Sequence, residues 1–133
     1  MGQTKYSRQR EAVKHYLRCV RTHPTANTIY EDLSHKYPNI SLGTVYRNLN
    51  FLVEQGEVTR LHYEGESDRY DGNTEPHYHF LCRNCHQVFD LPMEPLNHID
   101  TLASVNFDGE IEGHSVLFHG ICRECSDSLS PKK

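Results

Sequence analysis

"HYHFLCRNC", residues 77–85, places two histidines and two cysteines within nine positions. The two residue types read as two separate sites. Cys82 and Cys85 form a C-x2-C knuckle, and Cys122 and Cys125 form a second one after 36 intervening residues. Two residues between cysteines let both thiolates of a tight turn face one ion, at roughly 2.3 Å. Four thiolates close a tetrahedron and leave no open position. The set therefore predicts one structural Zn2+ per chain, tying the strand after His79 to a C-terminal strand. Four buried free thiols, or a redox C-x-x-C pair, would not call for the same knuckle twice.

With the thiolate tetrahedron full, His77 and His79 serve something else. On a strand, residues i and i+2 share a face, so these two imidazoles can converge on one ion. Asp90 falls on the next predicted strand, Asp71 ends the hairpin before it, and His23 lies in the break before the second helix. Three imidazoles and two carboxylates suit Fe(II), Mn(II) or Zn(II) rather than copper, and five ligands leave one octahedral position open. Each member also has a plainer reading. His23 fits a capping or solvated residue, Asp71 a turn residue, and Asp90 a strand end facing water. His62, His86, His98, His114 and His119 lack paired spacing and read as surface or internally satisfied residues. Cys19 is expected to be a small packed residue on the flank of the first helix.

The bulk numbers support a metal-stapled chain. It has 133 residues, 36% of them apolar, and no tryptophan. That suits one domain or two very small ones, with a core limited enough to need a second stabilising device. No run approaches the roughly 18 apolar residues of a membrane helix. "MGQTKYSRQR" has no apolar h-region, which predicts a cytoplasmic, reducing setting where cysteines bind metal rather than pair. Net charge is −4, but it is unevenly placed. Residues 1–60 carry nine Lys/Arg against five Asp/Glu, and residues 61–133 carry five against thirteen. A basic module for polyanions joined to an acidic module for cations fits that split.

Periodicity gives the order of elements. Ala12, Val13, Tyr16, Leu17 and Val20 mark a first helix. Thr25 caps a second with Ile29, Leu33 and Tyr37, and Ser41 caps a third with Val45, Leu49, Leu52 and Val53, stopped at Gly56. "EVTRLHY", the turn "EGES" and "DRYDG" then read as a two-stranded hairpin. Three helices and a hairpin follow the order of a winged helix-turn-helix. "HYHFLC" and "QVFDL" predict strands. "PLNHIDTLASV" predicts a helix with Leu96, Ile99, Leu102 and Ala103 on one face, "EIEGHSVLFHGIC" a return strand, and "SDSLSPKK" a frayed tail. The fold class is α+β: an N-terminal winged helix-turn-helix over 1–72, a hinge at 73–76, and a small α/β dimerisation and metal-binding domain with a four-cysteine zinc site over 77–133.

"TVYRNLNFL" in the third helix, "RYD" closing the hairpin, "HYHFLC-x2-C" and "HGIC-x2-C" together resemble the ferric uptake regulator (Fur) family over nearly the whole chain. The resemblance implies a metal-dependent, homodimeric DNA-binding repressor, and not an enzyme. The chain looks most like the peroxide-responsive (PerR) branch. There the regulatory ligands fall on positions that here are His23, Asp71, His77, His79 and Asp90, with Fe2+ or Mn2+ as the ion. Aspartate at position 90 is the mark of that branch, where iron-uptake members usually carry glutamate. Tyr78 stands where those members often have an aspartate that helps build an additional site, so no third metal is expected.

The resemblance further implies a switch. An ion joining His23 to the ligands at and beyond the hinge would set the spacing of two recognition helices on a pseudo-palindromic operator, with half-sites about one turn apart. Fe(II) would react with hydrogen peroxide, and His23 or His77 would take up an oxygen and release the ion. On the third helix Arg47 and Asn50 project outward and Tyr46 lies at the edge, for base contacts, although Arg47 also fits a phosphate contact. Arg8, Arg10 and Lys14 on the first helix would hold the DNA backbone. Three rivals remain at this point: an iron- or zinc-uptake repressor sensing metal level only, a small non-haem iron enzyme, and a plain zinc-ribbon interaction module with no regulatory ion.

Overall fold

The structure, a computed structural model, describes residues 5–129. The chain divides into two compact units, Met1–Glu75 and Pro76–Lys133.

The first unit has three helices and a hairpin: α1 (Lys5–Cys19), α2 (Ala26–Ser34), α3 (Leu42–Glu54), β1 (Thr59–Leu61) and β2 (Arg69–Asp71). Both predicted N-caps act as caps. Thr25 accepts from the Thr28 N–H and Ser41 from the Thr44 N–H, each filling an orphan donor of the first turn. At the end of α3, Gly56 takes φ 74°. The Gly56 N–H then bonds to Val53 O and the Glu57 N–H to Leu52 O, at 3.0 and 2.9 Å. This is the left-handed glycine stop of a Schellman motif. Val13, Leu17, Ile29, Leu33, Val45, Leu49 and Leu52 converge in one core, joined by Val58 and Tyr70 from the hairpin. The hairpin strands are shorter than the alternation predicted, with Val58 and Tyr63 packed outside the ladder.

Two details of the hairpin position the functional residues of this unit. Thr25 bridges Arg69, and the Tyr70 N–H bonds to Pro24 O at 3.0 Å, so residues 24–25 act as a third edge on β2. Gly72 then passes against the C-terminal turn of α1. A Cβ there would sit 2.6 Å from Leu17 O and 2.8 Å from Leu17 C. The glycine that closes the hairpin just before the hinge is thus a point of close backbone approach.

The second unit is a three-stranded sheet in the order β4-β3-β5, from β3 (His79–Cys82), β4 (Val88–Asp90) and β5 (Leu117–Gly120). β3 pairs antiparallel with β4 and parallel with β5. Two short helices complete it, α4 (His98–Ser104) and α5 (Arg123–Leu129).

Three expectations need correction here. The return strand covers only the end of "EIEGHSVLFHGIC"; residues before Leu117 are irregular. The apolar face predicted for α4 is not buried within the chain, since α4 has no buried residue and Leu102 is 65% exposed. Residues 126–129, expected to fray, form the body of α5, because buried Cys125 anchors the turn and the Ser126 N–H bonds to Cys122 O at 2.8 Å. Residues 130–133 of that tail lie outside the described residues.

Gly72→Ala is expected to lower the stability of the first unit by about 1–3 kcal/mol, because backbone rather than a flexible side chain must move. Gly43→Ala, whose added Cβ meets only Arg47 Nη1 and Ser41 Oγ at 3.6 and 3.9 Å, should not. Thermal denaturation of the two variants side by side checks the contrast.

Candidate metal centres and nucleic-acid face

The sheet register builds the cysteine cluster. Parallel pairing sets Cys82 against Gly120, and the Arg83 N–H bonds to Gly120 O at 2.7 Å. The chain leaving β5 therefore delivers Cys122 and Cys125 to the knuckle. The four sulfurs of Cys82, Cys85, Cys122 and Cys125 all lie within 4.8 Å of one another, and Cys85 Sγ is 3.9 Å from Cys122 Sγ. A tetrahedron with bonds of roughly 2.3 Å has edges near 3.8 Å, so the set fits zinc. The N–H groups of Cys85 and Cys122 both point at Cys82 Sγ, each at 3.4 Å. Burial pushes the Cys82 thiol up, but the backbone N–H groups of Cys85, Cys122 and Asn84 outweigh it and lower its pKa to about 6. Such N–H···S contacts favour the thiolate that a metal needs. His86 closes the knuckle with φ 62°, its N–H on Cys82 O at 2.9 Å.

The histidine pair sits at the other end of β3. His79 is the register partner of Asp90. His77, two residues earlier, faces the same way. His77 Nε2 lies 3.1 Å and His79 Nε2 3.5 Å from Asp90 Oδ1, and the two rings are 4.5 Å apart. His79 is buried and Asp90 is exposed. Within this unit two imidazoles and one carboxylate thus converge.

In the first unit His23 and Asp71 form a second, smaller set. The bridge between Thr25 and Arg69 brings the residue before Pro24 alongside the end of β2. His23 Nδ1 is 3.7 Å from Asp71 Oδ2, with both side chains at most 5% exposed. His23 adopts φ 52°, a left-handed conformation uncommon for a residue with a Cβ, and Arg69 Nη1 donates to its carbonyl at 2.9 Å. Strain of about 1–3 kcal/mol persists where neighbouring structure over-determines it, and it clusters at functional sites. Asp71 Oδ1 also accepts from the Asn73 N–H. Burial, and next the Asp71 charge, raise the pKa of Tyr63.

The side chains expected to meet DNA lie on α1 and α3. Tyr46, Arg47 and Asn50 are all exposed on α3, opposite buried Val45, Asn48 and Leu49. Arg47 Nη2 donates to Thr44 Oγ1 at 3.0 Å, and Arg60 from β1 donates to Asn50 Oδ1 at 2.5 Å. Arg8 is exposed on α1. Arg10 lies 3.8 Å over the Phe51 ring and reaches Asn48 Oδ1 at 3.4 Å, and Lys14 pairs with Glu57 at 2.6 Å. Arg60 is a basic residue beside this face that the periodicity of α3 had no means of including.

Among the remaining histidines, His62 meets Asp68 at 2.6 Å, His114 meets Tyr78 and Asp100, and His119 meets Arg83 at 2.7 Å. Their reading as satisfied residues agrees with this. Cys19 does not pack as expected. It is exposed, with Sγ 3.6 Å from His15 Nε2, because the last turn of α1 runs past the core that Leu17 closes.

The Ferric uptake regulator family model matches residues 2–119 of this chain. The peroxide-responsive repressor PerR of Staphylococcus aureus is 41% identical over 119 residues, covering 90% of this chain and 80% of that protein. The Campylobacter jejuni peroxide stress regulator superposes with a TM-score of 0.79 at 31% identity, over 91% of both chains. The Helicobacter pylori ferric uptake regulator Fur shares the fold, with a TM-score of 0.80 at 24% identity over 98% of this chain and 85% of that one. No helix among the described residues is long and apolar enough to cross a membrane. Matched along most of its length and carrying both donor sets, the chain belongs to the ferric uptake regulator family, as a metal-responsive transcriptional regulator and not an enzyme.

Proposed function

We propose that this chain is a cytoplasmic, homodimeric, peroxide-sensing repressor whose operator affinity is set by one divalent ion recruited jointly by His23, Asp71, His77, His79 and Asp90. The observation that carries this reading is that each unit by itself holds an incomplete donor set. The first offers His23 and Asp71; the second offers His77, His79 and Asp90. Neither approaches the six positions of an octahedral Fe2+ or Mn2+ ion, whereas the five donors together leave one position for a small molecule. Residues 73–76 are then the hinge between a winged-helix domain at 1–72 and a metal-binding domain at 77–133. Binding across the hinge selects one arrangement of the recognition helices from many, which raises affinity for a pseudo-palindromic operator.

The exposed apolar side chains of the second unit support the dimer. Phe89, Leu102, Val105, Phe107 and Phe118 are 40 to 70% exposed. That much apolar surface on so small a unit fits a self-association face. Tyr46, Arg47 and Asn50 read bases, and Arg8, Arg10 and Lys14 meet phosphates. Cys82, Cys85, Cys122 and Cys125 hold the structural zinc, which supplies the second unit with folding energy its small core lacks.

Similarity to peroxide-responsive repressors supports the sensing step. Bound Fe2+ supplies the redox chemistry. The net change is that hydrogen peroxide loses its O–O bond, one oxygen is inserted into a carbon–hydrogen bond of the His23 or His77 imidazole, and the other leaves as water. The oxidised ring is a poorer donor, so the ion and then the DNA are released.

Operator binding by zinc-loaded protein should rise at least tenfold with Mn(II) and with Fe(II). Only the Fe(II) form should lose DNA on adding peroxide, with a +16 Da shift on a peptide containing His23 or His77. Peroxide-insensitive binding with Fe(II) would select a repressor that senses metal level alone. His23→Ala should abolish the Mn(II) response while keeping the zinc. Cys82→Ser, by contrast, should lose zinc and unfold the second unit, seen as a lost far-UV transition. Arg47→Ala should cost about 1–3 kcal/mol of discrimination against altered operators. Lys14→Ala should weaken all sequences alike and reduce the salt slope by about one.

A further inference from the structure

His77 and Tyr78 both precede the first paired residue of β3, which begins at His79. The ladder therefore does not by itself fix where His77 points. Something else must hold that approach, and Tyr78 is placed to do so. It is 3% exposed and lies between two residues that face Asp90, so its own side chain goes to the opposite face.

Its hydroxyl is the hub of a hydrogen-bonded chain. The Leu96 N–H donates to it at 2.8 Å. His114 Nε2 lies 2.6 Å from it, and His114 Nδ1 lies 2.7 Å from Asp100 Oδ1. The donors and acceptors fix the protons. The carboxylate only accepts, so Nδ1 carries the imidazole hydrogen. Nε2 then accepts from the tyrosine hydroxyl, whose lone pair receives the Leu96 N–H. Ring contacts pack the same residue: the centroid of Tyr78 is 5.6 Å from His114 and 6.4 Å from Phe118.

The backbone of Tyr78 is engaged as well. Its carbonyl accepts from the N–H of Leu91, the residue after Asp90, at 3.0 Å. One residue thus holds both ends of segment 91–96, by main chain at one end and side chain at the other. Asp100 extends the hold to α4, a helix that buries no residue of its own.

We propose that Tyr78, His114 and Asp100 are positioning residues for the regulatory ion. By locking Tyr78 they aim His77 and His79 at Asp90 and hold that three-donor set ready. This rests on the metal-dependent reading above and adds a second group of residues that tune ion affinity without touching the ion. Residues that orient metal ligands typically change affinity 10–100-fold when removed.

The test is Mn(II) titration of the full-length, zinc-loaded protein, with zinc content and amide exchange measured in parallel. Tyr78→Phe should weaken Mn(II) about tenfold, keep its zinc, and speed exchange at Leu96. Asp100→Ala should do the same and serves as the second variant if Tyr78→Phe folds poorly. Asp100→Asn keeps an acceptor oxygen for His114 and should bind Mn(II) like the parent. Failure of Asp100→Asn to rescue would make Asp100 a ligand or a needed charge, and would overturn the proposal. So would unchanged Mn(II) affinity in both Tyr78→Phe and Asp100→Ala, or loss of zinc in step with Mn(II). A parent protein that takes up no ion beyond zinc would sink the regulatory reading and this proposal together.

Discussion

The pairing of β3 with its two neighbours decides both donor sets of the second unit. At one end of the strand, register sets His79 against Asp90; at the other it sets Cys82 against Gly120. The two ends are three residues apart, about 10 Å along a strand. A slip of one residue would turn the side chains of β3 to the opposite face. His79 would leave Asp90, and Cys82 would leave the path by which β5 delivers Cys122. The two candidate donor sets of this unit thus share one register. The cysteine knuckle fixes it at the Cys82 end, and the hydrogen bonds around Tyr78 steady the chain where it enters. A strand of four residues has few ladder bonds of its own, so anchors at both ends are what such a site needs.

The first unit reaches a comparable arrangement by other means. Its donors come from segments 48 residues apart in the chain, brought together by a bridge and two hydrogen bonds between residues 23–25 and β2. His23 is held left-handed and buried, and Gly72 lets the exit from β2 pass directly against Leu17. Neither feature improves the core. Both place His23 and Asp71 side by side at the last structured point before residues 73–76. A strained residue kept beside a buried carboxylate is costly for stability alone, which fits a function that needs the pair in place before any ion arrives.

How far the sequence foretold this depends on the range of the determining interaction. Thr25, Ser41 and Gly56 act within one helical turn, so the spacing of polar and apolar residues was enough to place all three caps. The cysteine knuckles were legible because C-x2-C is also a local geometry. His77 and His79 share a face on any strand, and Asp90 followed one predicted strand later. Failures came where a long-range contact decides. Helix α5 exists because Cys125 is fixed by the cluster; its own seven residues give little periodic signal. The apolar residues of α4 looked like core because periodicity reports amphipathicity, and a face offered to another molecule has the same period as one turned inward. Tyr78, His114 and Asp100 are separated by 14 to 36 residues, so only the parallel pairing of β3 and β5 reveals them as a chain. Cys19 lay at the edge of an apolar stripe, where half a turn separates buried from exposed.

In the proposed DNA complex the cations of the first unit differ in how readily each could leave its present partner for a phosphate. Lys14 pairs with Glu57, the two side chains being 17% and 39% exposed, and exchanging the carboxylate for a phosphate would leave the ammonium paired with an anion. Arg47 gives up only a neutral hydroxyl partner. Arg10 is different. It stacks on Phe51 and bonds to Asn48, a buried side chain whose Nδ2 has no hydrogen-bond partner among the described residues. Pulling Arg10 away would uncover an aromatic ring and leave both polar ends of that buried amide unsatisfied, a penalty of about 1–3 kcal/mol. In the proposed DNA complex Arg10 would therefore meet a phosphate without leaving its stack, as a fixed charge at the junction of α1 and α3. In the proposed DNA complex Arg47 is the side chain able to follow differences between operators, and Lys14 supplies a charge that any phosphate meets.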